Sequence, residues 1–239
     1  MSAASVSHVA DLLNRFDFHT LLSGAAHLRP DHVGLAEYTA AGPLSLSFAE
    51  FDRRAHGLAG ALRRTGLRPQ DRVLLNLGAS INSVIALAAA LRAGLDAVVT
   101  PLHMSAGNLG ALARQSGAVA LIGEARPGAE SAIEMLFSVA ALASDVRMVC
   151  SVGGIEVDGA APFDPRLLAE GAPDVKPSQT AGILTAAENG VLVKHRQSTL
   201  VAAALDFAAR AHIGSDAPLL TTFAPAHSPV SRRDLLQAC

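Results

Sequence analysis

The sequence predicts an α/β fold with an open, mostly parallel sheet flanked by helices, and three observations carry that reading. Apolar runs of strand length alternate with longer amphipathic stretches, glycines close those stretches, and hydroxyl residues open them. With 239 residues and 50% hydrophobic content, the chain can bury a substantial core.

Residues 1–32 read as a helical preface, with Val9, Leu12, Leu13 and Phe16 at helical spacing, a second short stretch around Leu21, Leu22 and Ala25, and Pro30-Asp31 as its stop. Residues 33–38 and 44–46 are short strands around a turn at 40–43, which predicts a hairpin beside the main sheet. Ser47-Phe48-Ala49-Glu50 matches a capping box, in which hydroxyl and carboxylate satisfy orphan amides at a helix start. The helix it opens carries Phe48, Phe51, Ala55, Leu58, Ala59 and Leu62 on one face, and Gly66 is placed to end it.

The alternation then repeats. Strand 73–77 leads to helix 80–92 closed by Gly94, strand 97–100 to helix 105–115 ending at Gly117, and strand 119–122 to helix 129–143 and strand 146–150. Strands separated by helices pair in parallel through right-handed crossovers, so residues 33–152 form a first α/β subdomain. Residues 153–180, rich in Gly, Pro, Ala and Asp with only 166–169 hinting at a helical turn, read as a connection. Residues 181–239 open a second subdomain with strand 182–185, a loop, helix 197–211, strand 219–223 and an amphipathic helix from Ser231 that meets no stop signal. The expectation is a chain truncated inside an element.

Composition excludes several classes. A net charge of -2, with no basic run longer than an arginine pair, supplies no field for a nucleic-acid backbone. Cys150 and Cys239 cannot form a disulfide framework, which fits a reducing cytoplasm, and His8, Asp11, Arg15 and Asp17 interrupt any export signal. The longest apolar tract, 84–91, falls short of the ~20 residues of a membrane span. The histidines show no metal-ligand spacing with a nearby carboxylate, so no protein-held metal is expected. The glycine fingerprint of a dinucleotide fold, the P-loop and the G-x-S-x-G elbow are all missing.

Ser47-Phe48-Ala49-Glu50-Phe51, Gly66-Leu67-Arg68-Pro69-Gln70-Asp71-Arg72-Val73 and Ala97-Val98-Val99-Thr100-Pro101-Leu102 resemble the front of the AMP-forming adenylating enzymes, the acyl-CoA synthetase class. The resemblance follows the order of elements from Val33 to Phe223 and is specific from Leu44 to Ile122. It implies a ligase that activates a carboxylic acid with ATP and Mg²⁺ to an acyl-adenylate and passes the acyl group to coenzyme A or a carrier thiol, as in fatty acid metabolism.

The family's phosphate loop, T-S-G-T-T-G-x-P-K-G, falls on Thr185 to Lys194. Thr185 and Gly190 match, Ala186 and Ala187 replace Ser and Gly, Glu188 and Asn189 replace the two Thr, Leu192 replaces Pro and Val193 replaces Lys. Lys194 supplies a cation one place late, and His195 and Arg196 extend it into a shifted basic cluster. A carboxylate at Glu188 held ~4 Å from a phosphate oxygen is repelled by roughly 4 kcal/mol at an effective dielectric near 20. The alanines lack the φ freedom of glycine and the donor of serine.

His227 falls where the family has a P-L-F-H segment lining the acyl pocket, with the proline displaced by one residue. The resemblance places the adenine and ribose contacts, the acidic metal-binding segment and the catalytic lysine downstream of this chain. No residue is assigned as catalytic. The expectation is a truncated or degenerate pseudoenzyme that needs a complementing C-terminal chain. The alternative is a noncatalytic module that binds an acyl group, acyl-CoA or a partner protein.

Overall fold

In the computed structural model of the chain, the described residues are 16–39, 42–124, 130–153, 156–164, 180–186 and 191–214. Helix α1 (Phe18–Leu28) starts where the Asp17 carboxylate accepts the Thr20 N–H at 2.7 Å. Strands β1 (Val33–Thr39) and β2 (Gly42–Ser47) form an antiparallel two-stranded sheet of their own, the expected hairpin. Ser47 then caps α2 (Phe48–Arg64) by accepting the Glu50 N–H at 3.2 Å.

The parallel succession follows closely. It comprises β3 (Arg72–Asn76), α3 (Ile81–Arg92), β4 (Asp96–Val99), α4 (Ala106–Ser116), β5 (Ala118–Glu124), α5 (Glu130–Leu142) and β6 (Met148–Val152). A reciprocal Ser80/Ser83 capping box opens α3, and Gly117 ends α4 with φ 63°, a left-handed value that glycine adopts without penalty.

Four elements complete the described chain: β7 (Ala161–Phe163), β8 (Gly182–Ala186), β9 (Leu192–Arg196) and α6 (Gln197–Arg210). Two of them depart from the sequence reading. Strand β7 forms inside the stretch read as a connection, and its Pro162 is tolerated because β7 is an edge strand. Strand β9 forms where the sequence reading has a loop leading straight into α6, so β8 is followed by a second strand before the helix.

The seven-stranded sheet has the order β7-β6-β5-β3-β4-β8-β9, parallel throughout except for the antiparallel β8–β9 pair. Residues 182–196 thus join the sheet that residues 72–163 build, where the sequence reading opens a second subdomain. Alternation along each strand splits the core into two layers. Val73, Leu75, Ala97 and Ile122 pack with α2 and α3, whereas Leu74, Val98, Leu121 and Val149 pack with α4 and α5.

The helix expected before Phe16, the turn at 166–169, strand 219–223 and the helix from Ser231 lie outside the described residues. Among the described residues, no helix is long and apolar enough to cross a membrane.

Candidate functional site

Ligands of open α/β sheets bind beyond the carboxyl ends of the strands, where the connections of two neighbouring strands leave in opposite directions. Here β3 leads to β4 on one side while β5, its other neighbour, leads to β6, so the crevice lies between the ends of β3 and β5. Strands β3, β4 and β8 run parallel, which brings Asn76, Thr100 and Thr185 to the same end of the sheet.

The crevice is rich in internally matched polar groups. Glu124, buried at the end of β5, accepts from Ser80 Oγ at 2.8 Å and from Asn82 Nδ2 at 3.0 Å. Glu37 of β1 accepts the Ile81 N–H at 2.9 Å. The positive N-terminus of α3, a natural seat for an anion, is therefore already held by two carboxylates. Asn76 Nδ2 donates to Thr100 Oγ1 at 3.0 Å and to the Pro101 carbonyl at 3.1 Å. Its Oδ1 and the Ser151 Oγ on β6 are buried without a protein hydrogen-bond partner, so a polar ligand atom or water would satisfy them.

Strand β8 ends and β9 begins at this same end of the sheet. Thr185 and Ala186 close β8, and Lys194 lies on β9. Ala187, Glu188, Asn189, Gly190 and His227 lie outside the described residues.

Period-two alternation divides the basic cluster of β9. The Lys194 stem crosses Gly182, where a Cβ would stand 2.7 Å from Lys194 Cε and from the His195 carbonyl. Its ammonium reaches the Asp96 carboxylate at 2.8 Å, and the Gly182 N–H donates to the same carboxylate at 2.9 Å. Asp96 opens β4 and is 3% exposed, so the lysine charge is engaged at the amino end of the sheet, away from the turn. His195 points to the other face, where its Nε2 shares a 2.9 Å hydrogen bond with Thr185 Oγ1. The hydroxyl that matches the family loop thus has an imidazole partner.

These arrangements bear on ATP and Mg²⁺. Among the described residues, no group of three or more His, Cys, Asp or Glu could hold a metal ion. Nor does the described part of the hairpin fit a triphosphate, because its lysine is paired with Asp96 and its threonine with His195. Sequence reasoning passed over Asp96 and Glu124. A lone carboxylate inside the apolar run Leu95-Asp96-Ala97-Val98-Val99 was the signal for the first, since such a group is buried only with a partner.

The family model described as AMP-binding enzyme matches residues 23–227. The chain belongs to the AMP-binding enzyme family. Within it, the chain is 41% identical over 105 residues to the salicyl-AMP ligase / salicyl-S-ArCP synthetase of Mycobacterium tuberculosis, a match covering 43% of this chain and 18% of that protein. The acetoacetyl-CoA synthetase of Streptomyces lividans superposes with a TM-score of 0.67 at 20% identity, covering 83% of this chain and 33% of that one. A benzoate CoA ligase from Burkholderia xenovorans gives 0.60 at 21% identity, covering 82% and 36% respectively. The chain therefore spans well under half the length of these three relatives, and the two structures share its fold.

Proposed function

We propose that this chain is the N-terminal part of an adenylate-forming carboxylate ligase, with the ancestral reaction of joining a carboxylic acid to AMP and then to a thiol, and that it is inactive alone. The pairing of Lys194 with Asp96 carries this reading, because it commits the lysine that the family resemblance would set against a phosphate to a buried carboxylate instead. Glu188, Ala186 and Ala187 in place of the family's hydroxyl and glycine residues weaken phosphate binding further. Electrostatic stabilisation of developing charge is usually the largest catalytic term, so a complementing C-terminal chain would have to supply it.

An aromatic acid is the first substrate class to test, since salicyl and benzoate ligases stand among the relatives. Coenzyme A and a carrier-protein thiol are the first acceptors, and ATP and Mg²⁺ would enter through the complementing part. The substitutions in the phosphate-loop stretch mark it as degenerate. We place the chain in the cytoplasm, which fits the two-cysteine composition.

The test is ATP-dependent pyrophosphate release from salicylate, benzoate and a fatty acid, with the chain alone and with the C-terminal portion of a related ligase. Release only in the mixture supports the reading. Release by the chain alone, or none in any mixture, contradicts it.

A further inference from the structure

The peptide bond between Ala181 and Gly182, at the amino end of β8, is gripped from both sides. Its N–H donates to the Asp96 carboxylate at 2.9 Å, and its carbonyl accepts from Gln197 Nε2 at 3.0 Å. Ala181, Asp96 and Gln197 are all buried, so turning this peptide would strand polar groups away from water. The ladder that joins β8 to β4 is short, pairing Ala97 with Ile183 and Val98 with Leu184, and β9 lies at the margin of the sheet. The grip on the 181–182 peptide therefore helps to set the angle at which the β8–β9 hairpin leaves the sheet.

Gln197 reaches beyond that hairpin. Its Oε1 accepts the Phe18 N–H at 3.2 Å, from a residue 179 positions earlier. That amide is one of those a helix start leaves without an intrahelical acceptor. Asp17 takes the Thr20 N–H of the same turn at 2.7 Å, and Gln197 completes the cap from across the fold. Further along α1, Ser23 donates to Asp52 of α2 at 3.0 Å and accepts from Arg92 of α3 at 3.1 Å. Helix α1 is thus pinned to the helical layer at Ser23 and to the base of the hairpin at Phe18. Joining the two requires a donor and an acceptor on one planar group, which a glutamine amide supplies.

We propose that Gln197 is a positioning residue that couples the docking of helix α1 to the setting of the β8–β9 hairpin. That hairpin bears Thr185 and the stretch aligned with the family's phosphate loop. With the first turn of α1 formed, the Phe18 N–H fixes the Gln197 amide in the orientation that holds the Ala181 carbonyl. When that turn frays, the orientation is lost and the hairpin opens more often. The N-terminal helix is in this way a control on a segment far from it in sequence.

Amide hydrogen exchange on the full 239-residue chain tests the coupling, and it needs no nucleotide. Asp17→Ala, which removes the side-chain cap of α1, should speed exchange in Gly182–Ala186 and Leu192–Arg196 by about fivefold while β5 and β6 keep their native rates. Asp17→Asn, which still caps, should restore the native rates. Gln197→Leu should loosen the hairpin by itself, and Asp17→Ala added to it should change the hairpin no further, because both act through one link. If Gln197→Leu fails to fold, Gln197→Glu is read in its place, since it keeps an acceptor for Phe18 and loses the donor to Ala181.

Hairpin exchange indifferent to Asp17→Ala, a rise that includes β5 and β6 equally, or effects of the two substitutions that simply add would each overturn the coupling. None of these readouts involves catalysis, so such a failure leaves the split-ligase reading untouched.

Discussion

Helices α3 and α6 have similar compositions and opposite surroundings. The first, INSVIALAAALR, has no exposed residue. The second, QSTLVAAALDFAAR, is mostly exposed. Both are rich in alanine and leucine, so helix propensity does not separate them. What differs is the neighbourhood, since α3 lies between α2 and the sheet while α6 rests on the β9 margin. The contrast teaches that an apolar helix records the packing its sequence was shaped for, whether or not that packing is present.

The largest expected effect breaks the comparison directly. Ile85→Ala in α3 removes a fully buried side chain and should cost about 2–5 kcal/mol, whereas Leu205→Ala in α6 should cost within about 0.5 kcal/mol. Urea denaturation of the two variants measures this, and equal losses would erase the distinction.

Next comes the hairpin, the link between the enclosed sheet and the exposed helix. Lys194→Met leaves the buried Asp96 carboxylate without its cation, the Gly182 N–H still donating to it, and should cost about 1–3 kcal/mol, toward the lower end because the lysine is half-exposed. Gly182→Ala should destabilise too, because its methyl would meet the lysine stem and the His195 backbone.

A smaller effect concerns α1, the helix facing both regions. Burial, then the neighbouring Arg92 cation, holds His19 below its ordinary 6.5, with His56 acting the same way and Asp17 and Asp52 opposing. The native state then binds fewer protons than the unfolded chain, so the stability from neutral His19 is complete above pH 6.5 and declines as pH falls through the lowered value. Thermal melts at pH 7 and pH 5 should show a shallower acid loss for His19→Gln than for the native chain; an unchanged loss would remove His19 from the account. The smallest signal is chemical. Burial pushes the Cys150 thiol up to about 12, so it should resist thiol reagents at pH 8 until the sheet unfolds.

Much of the fold was legible because each local signal had a mechanism that tertiary structure did not override. Ser47, Ser80 and Ser105 all cap helices, and Gly117 ends one, as their chemistry predicts. The apolar runs at 73–77 and 97–100 are central strands of the parallel sheet. Strand β9 was harder to read because Val193-Lys194-His195-Arg196 is exposed on an edge and lacks a clean apolar alternation. Around the candidate site, strand 182–185 was legible from its apolar run. The partners of Thr185 and Lys194 were not, because Lys194 and Asp96 are 98 residues apart and meet only through the pairing of β4 with β8.

The most direct test of the central claim is titration of the purified 239-residue chain with magnesium-ATP, followed by a search for acyl-adenylate after adding salicylate or benzoate. The account predicts no saturable heat at millimolar nucleotide and no acyl-AMP. Tight binding, with acyl-AMP formed in the absence of any other protein, would contradict it.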